Sequence, residues 1–188
     1  MASTYYQNLI RRVLDNSVSN VWDEAVSEWY IADCEEDETL EASCICGKEN
    51  LRYLFTIRND INGNELFPIG SSCIKKFGRN DLNNEADIHE DMFKLMHAVA
   101  KNEFITLDSV YFSRKLLYAL YEEGAFAANK YNFYDGENDY QFMLNMFNKR
   151  NKDDITLAQR RKIGAIIINS IRPFLVEKLQ YKTNSRYI

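Results

Sequence analysis

The sequence predicts an α+β fold, with N-terminal helices and a zinc-bound β-hairpin module followed by a mainly α-helical C-terminal half. Three observations carry this expectation. Apolar residues recur at helical spacing at the start of the chain and again over most of its second half. One stretch around Tyr53 alternates with period two, the pattern of a strand with a single buried face. The cysteines, four in all, fall at 34, 44, 46 and 73 and bracket that stretch.

Taken in order, Tyr6, Leu9, Ile10 and Val13 share one helical face, as do Val18, Val21, Trp22 and Ala25. This predicts two helices, or one broken near Asn16. The acidic run from Asp33 to Glu41, DCEEDETLE, is expected to be a loop. Leu51, Tyr53, Phe55 and Ile57 then alternate with Arg52, Thr56 and Arg58, predicting a strand, with Leu54 as the exception. Asn62-Gly63 supplies a turn that tolerates positive φ, and Leu66-Phe67 a second strand ended or set at an edge by Pro68. The pair reads as a β-hairpin.

Downstream, Ile88, Met92, Leu95, Met96 and Val99 form one apolar stripe and Tyr140, Met143, Leu144 and Phe147 another. Between them Thr106 to Glu123 reads as a helix, with Thr106 or Asp108 as N-cap and Gly124 at its end. Thr156 with Gln159 has the spacing of a capping box, opening a basic helix through Ile168 that Pro173 should kink or divide.

At 188 residues, 46% hydrophobic, the chain can bury a core without disulfides. The expected organisation is a helical and four-cysteine zinc-hairpin module over 1–80 and a helical bundle over 81–188, or one continuous domain. A hinge near Asn80–Asn84 would separate the two. No apolar run approaches the ~20 residues of a membrane span, and MASTYYQNLIRRVLD lacks the apolar centre of a secretory signal. A soluble, cytoplasmic protein is expected, and in a reducing compartment clustered cysteines point to metal more than to disulfides.

The cysteine spacing gives that metal a place. Cys44-Ile45-Cys46 ends in Gly47, whose freedom of φ suits a turn that wraps two sulfurs onto one ion. The hairpin returns the chain and delivers Cys73. If Ser71 or Ser72 caps a helix there, Cys73 lies in its first turn, where amides favour the thiolate. Cys34 completes a tetrahedral set, so Cys34, Cys44, Cys46 and Cys73 are the expected ligands of a structural zinc ion (Zn2+). Two other arrangements fit the same residues: separate buried thiols, or three cysteines with His89, His97 or water as fourth ligand. A zinc ion closed by four cysteines leaves no position for a reactive water. The chain also lacks a Gly-rich phosphate loop, a His-Glu-x-x-His pair and a nucleophile elbow. The expectation is that it is not an enzyme.

Charge is distributed unevenly. From Lys149 onward ten Lys and Arg face three Asp and Glu, a net +7, which leaves −12 on the preceding residues of a chain whose total is −5. Six carboxylates, Asp33, Glu35, Glu36, Asp37, Glu38 and Glu41, surround Cys34 and suit a partner with a basic surface. Exposed tyrosines within Tyr131–Tyr140 would add contacts, although such residues more often cover a core. The basic segment Lys149, Arg150, Lys152, Arg160, Arg161 and Lys162 supports a second reading, a zinc-containing nucleic-acid-binding or regulatory protein.

The blocks SCICGK (43–48), LRYLFTIRND (51–60) and PIGSSCIKKF (68–77), with Asn62-Gly63 between them, look like a zinc-binding module of small phage and mobile-element proteins of Gram-positive bacteria. The module covers Cys34 to Phe77. With its acidic front half and helical back half, the chain resembles a metal-containing type II-A anti-CRISPR protein. The resemblance implies an inhibitor that binds Cas9 in the bacterial host cell and blocks target-DNA loading or cleavage. The acidic cluster would meet one of the basic surfaces with which Cas9 holds nucleic acid. The C-terminal half carries no motif that matches.

Overall fold

Two N-terminal helices form, and Asn16 ends the first of them. In a computed structural model, which describes residues 3–185 and the side chains of residues 3–179, α1 (Thr4–Asp15) is capped by Ser3. The Ser3 hydroxyl accepts from the Tyr6 amide at 3.3 Å. Leu9 and Val13 of α1 are fully buried. The second helix, α2 (Trp22–Ala25), is a single turn. Between them Ser17 donates to the Val13 carbonyl and accepts from Trp29 Nε1, both at 2.8 Å, which seats the Trp29 indole in the core.

The chain then enters β1 (Trp29–Glu36), followed by β2 (Tyr53–Asn59) and β3 (Glu65–Ile69), an antiparallel sheet in the order β1-β2-β3. The expected hairpin is β2–β3. Strand β1 is a correction, since Asp33–Glu36 was expected in a loop. An extra residue at Ala32 broke the alternation: Ile31 faces Ile57, but Asp33 already faces Thr56. The strand also ends on a buried charge, Glu36, whose carboxylate accepts from Arg52 Nε at 2.8 Å. At the hairpin turn Asn59 Oδ1 accepts the amides of Ile61 and Asn62, and Gly63 takes φ +75°. Pro68 is tolerated because β3 is an edge strand.

Two further expectations change. α3 (Ser71–Ile74) starts from Gly70 with no side-chain cap, so neither Ser71 nor Ser72 caps it. Asn80–Asn84, where a hinge was expected, is helical and opens α4 (Asn80–Ala100). The chain divides into two compact units, Met1–Glu90 and Asp91–Ile188, and α4 runs from one into the other. The first unit packs Trp29, Phe55, Ile57, Ile69 and Ile74 around the sheet, each almost solvent-free.

In the second unit Asp108 accepts from the Thr106 hydroxyl and the Val110 amide, closing a turn there. The helix therefore begins later than expected: α5 (Arg114–Glu122) is capped by Ser113 and ends at Gly124, φ +87°. α6 (Gly136–Asn148) starts where a Cβ would lie 2.1 Å from the Phe126 carbonyl oxygen, a position only glycine fits. α7 (Leu157–Ile166) opens with the reciprocal Thr156–Gln159 capping box. It passes without a break into a π-helical turn, Ile167–Ile171, and then α8 (Arg172–Ser185); Pro173, just after that turn, has no amide to donate, and the helix is divided by the π-turn rather than ended. Leu116, Leu117, Leu120, Met143 and Leu175 form the centre of this unit's core. No helix among the described residues is long and apolar enough to cross a membrane.

Candidate metal centre

Three of the four cysteines meet. Cys44 and Cys46 sit in a tight turn closed by Gly47 N donating to the Cys44 carbonyl (2.7 Å) and Cys44 N donating to that of Lys48 (2.8 Å). Gly47 takes φ +94°, which a side chain would strain. The turn is pinned on two sides. Ile45 N donates to the Pro68 carbonyl of β3 at 2.9 Å, and Asn8 Nδ2 of α1 donates to the Cys46 carbonyl at 3.2 Å. From the end of β3, Gly70 leads into α3 and brings Cys73 to the same point, while the Gly70 amide approaches Cys44 Sγ at 3.5 Å.

The Sγ of Cys73 lies 3.7 Å from that of Cys44 and 3.5 Å from that of Cys46, and all three sulfurs fall within 4.8 Å of one another. A tetrahedral zinc with sulfur at about 2.3 Å sets its ligands roughly 3.8 Å apart, so the triangle fits one such ion. All three residues are buried. The hydrogen bond from Cys73 holds the Cys44 thiol down to about 5, against the opposing effect of burial. Cys73, as donor to Cys44 and itself buried, is pushed up. The pair favours one thiolate with a shared proton, which a cation would displace.

Cys34 does not join them. It sits in β1 opposite Phe55 of β2, with its Sγ 3.8 Å from the Glu35 carbonyl oxygen. In the order β1-β2-β3, β1 lies two strand spacings from β3, about 9–10 Å. The expected four-cysteine set is therefore three cysteines. Among the described residues no further His, Cys, Asp or Glu ligand atom lies within 4.8 Å of all three sulfurs. His89 instead packs its ring edge-on to Phe55, centroids 6.0 Å apart, and His97 belongs to the second unit. Of the residues that position the triangle, Pro68 and Gly70 lie in the block 68–77 singled out in the sequence, and Asn8 was missed. Gly70 stands three residues before Cys73 and was legible, whereas Asn8 is 38 positions from its partner and leaves no local signal.

The six acidic candidates divide. Asp33, Glu35, Glu38 and Glu41 are exposed, and none is ion-paired among the described residues. Glu36 is buried on Arg52, and Asp37 folds its own loop. The Asp37 carboxylate accepts the Thr39 hydroxyl and the amides of Thr39, Glu41 and Ala42. These bonds, the Thr39 hydroxyl foremost, hold its carboxyl down to about 2. A depressed carboxyl stabilises the loop above its ordinary range and loses that contribution as pH falls through the folded value. The amide resonances of Thr39 and Ala42 should therefore shift with a midpoint near pH 2, and Asp37→Asn should remove the transition.

The basic segment is largely used internally. Lys149 donates to the Asp154 carbonyl, Lys152 to those of Met146 and Phe147, and Arg160 to those of Ile155 and Lys152. Lys162 pairs with Asp139 at 3.1 Å. Arg150 and Arg161 make no ion pair among the described residues. In the Tyr131–Tyr140 stretch, Tyr140 is core and stacks on Tyr121 at 4.7 Å, while Tyr131, Phe133 and Tyr134 are at least 75% exposed. No family model matches the chain, and no curated protein or solved structure matches it.

Proposed function

We propose that the chain is a zinc-containing binding protein that inhibits Cas9 of type II-A CRISPR systems, acting through the exposed carboxylates Asp33, Glu35, Glu38 and Glu41. The observation that carries this reading is their exposure without a cationic partner in their own unit, beside a module that resembles those of anti-CRISPR proteins. Unpaired surface carboxylates raise the rate of encounter with a basic surface and oppose nucleic acid. The cysteine triangle would hold zinc with water or another donor in the fourth position, tying α1, the Cys44–Lys48 turn and α3 to β3. The competing nucleic-acid reading is weakened because four of its six basic residues are engaged within the fold.

The test is target-DNA binding by a Cas9–guide complex with and without stoichiometric protein, alongside the protein alone on the same DNA. Loss of Cas9-bound DNA is expected, weakened about tenfold or more when all four carboxylates are reversed to Lys. Full inhibition by that variant, folded and at all salt concentrations, contradicts the acidic surface. Undisturbed DNA binding and cleavage contradict the target. Binding to DNA by the protein alone, falling steeply with salt, would favour the nucleic-acid reading instead.

A further inference from the structure

A cleft of about 750 Å³ opens in the helical unit, within the range of small-molecule sites. Its walls include Tyr131, Asp139, Arg161, Lys162, Asn169 and Ser170. We propose that this cleft binds a mononucleotide, its phosphate on Arg161 and its base against Tyr131.

Charge supplies the first argument. Asp139 is 3% exposed and accepts from Asn132 Nδ2 at 2.9 Å, and Lys162 Nζ stands 3.1 Å from its other oxygen. Asp139 and Lys162 thus cancel, and Arg161 is left with a full positive charge and no ion-pair partner among the described residues. An exposed guanidinium at the mouth of a cleft presents paired donors suited to phosphate.

The polar groups supply the second. Asp139 Oδ1 receives no aligned hydrogen bond despite its ion pair, an uncommon state for a buried carboxylate oxygen. A ligand carrying both an anion and hydrogen-bond donors answers both features, and a nucleotide does so through its phosphate and its ribose hydroxyls or base amines. Asn169 and Ser170 lie in the π-helical turn Ile167–Ile171, an irregularity frequent at functional sites. Its extra residue is unfavourable without compensation, and here it places two polar side chains in the cleft wall.

Pre-organisation supplies the third. Tyr131 is 77% exposed, yet its backbone is held by Asn129 Oδ1 accepting its amide at 2.8 Å, and its ring carries Lys130 Nζ at 4.9 Å. The Asn129–Asn132 capping box fixes this turn, and Asn132 in turn donates to Asp139. An exposed aromatic ring carried on a fixed turn in the cleft wall is a platform on which a base can stack.

The experiment is calorimetric titration of the full chain with AMP, GMP, CMP and UMP, each to about 1 mM, with inorganic phosphate as control. Saturable binding of at least one nucleotide is expected, about tenfold or more tighter than phosphate, and weakened about tenfold by Arg161→Glu. Ala165→Trp, which fills the cleft from an exposed helix position, should abolish it. Absence of saturable binding by all four nucleotides overturns the proposal. So does phosphate binding as tightly as the nucleotides, or nucleotide binding unchanged in both variants, with folding of each confirmed by its melting curve.

Discussion

Cys73→Ser should leave the protein without bound zinc and unfold the Met1–Glu90 unit near physiological temperature. Metal binding by thiolate sites contributes on the order of 10 kcal/mol or more to folding. A small domain has about 5–15 kcal/mol in all. The three sulfurs join the Cys44–Lys48 turn to α3, and through Asn8 that turn also reaches α1. Metal content by mass spectrometry and amide-exchange protection provide the readouts, with one zinc per chain expected in the wild type. Chelator treatment should reproduce the variant. Protection in Asp91–Ile188 should survive, since that unit has its own buried core. Cys34→Ala is the discriminating control. It should retain the full metal content, because Cys34 sits in β1 away from the triangle. Loss of zinc in Cys34→Ala would restore the four-cysteine site, and a Cys73→Ser melt identical to wild type would remove the metal altogether.

Glu28→Ala should cost about 3–4 kcal/mol, because the carboxylate is a buried acceptor for three donors at once. Its oxygens take the amides of Val18 and Ser19, each at 2.7 Å, and Asn59 Nδ2 at 2.6 Å. Glu28 thereby joins the loop after α1 to the turn after β2, and Asn59 is itself 1% exposed. Truncation leaves a buried amide and two backbone donors without an acceptor. Glu28→Gln restores the volume but turns an NH2 toward donors, so it should recover only part of the loss. Burial raises the Glu28 carboxyl, yet the bonds from Val18, Asn59 and Ser19 outweigh it and hold it below the ordinary value. The sign follows. The contribution is present above the unfolded carboxyl value, about 4.3, and is lost as pH falls through the lower folded value. Denaturant midpoints of wild type and Glu28→Ala should thus differ most at neutral pH and converge in acid. Equal midpoints at neutral pH would show that water replaces the carboxylate at little cost.

The fold class, the β2–β3 hairpin, the helical second half and the clustering of Cys44, Cys46 and Cys73 were all legible in the amino-acid sequence. Each rests on a short-range signal: period-two alternation, helical stripes, the Thr156–Gln159 box, or glycines beside cysteines. The features that were not legible depend on partners far apart in the chain. Strand β1 was hidden because the bulge at Ala32 breaks its alternation and the burial of Glu36 depends on Arg52, 16 residues away. Cys34 was excluded from the triangle by strand order, which no local pattern encodes. The same holds for charge. Six carboxylates read alike in sequence, but Asp37 is consumed by its own loop and Glu36 by Arg52, and Asp139 cancels Lys162 and leaves Arg161 unpaired. Local propensity is written in neighbours along the chain, whereas which charges remain free is settled only when distant segments meet.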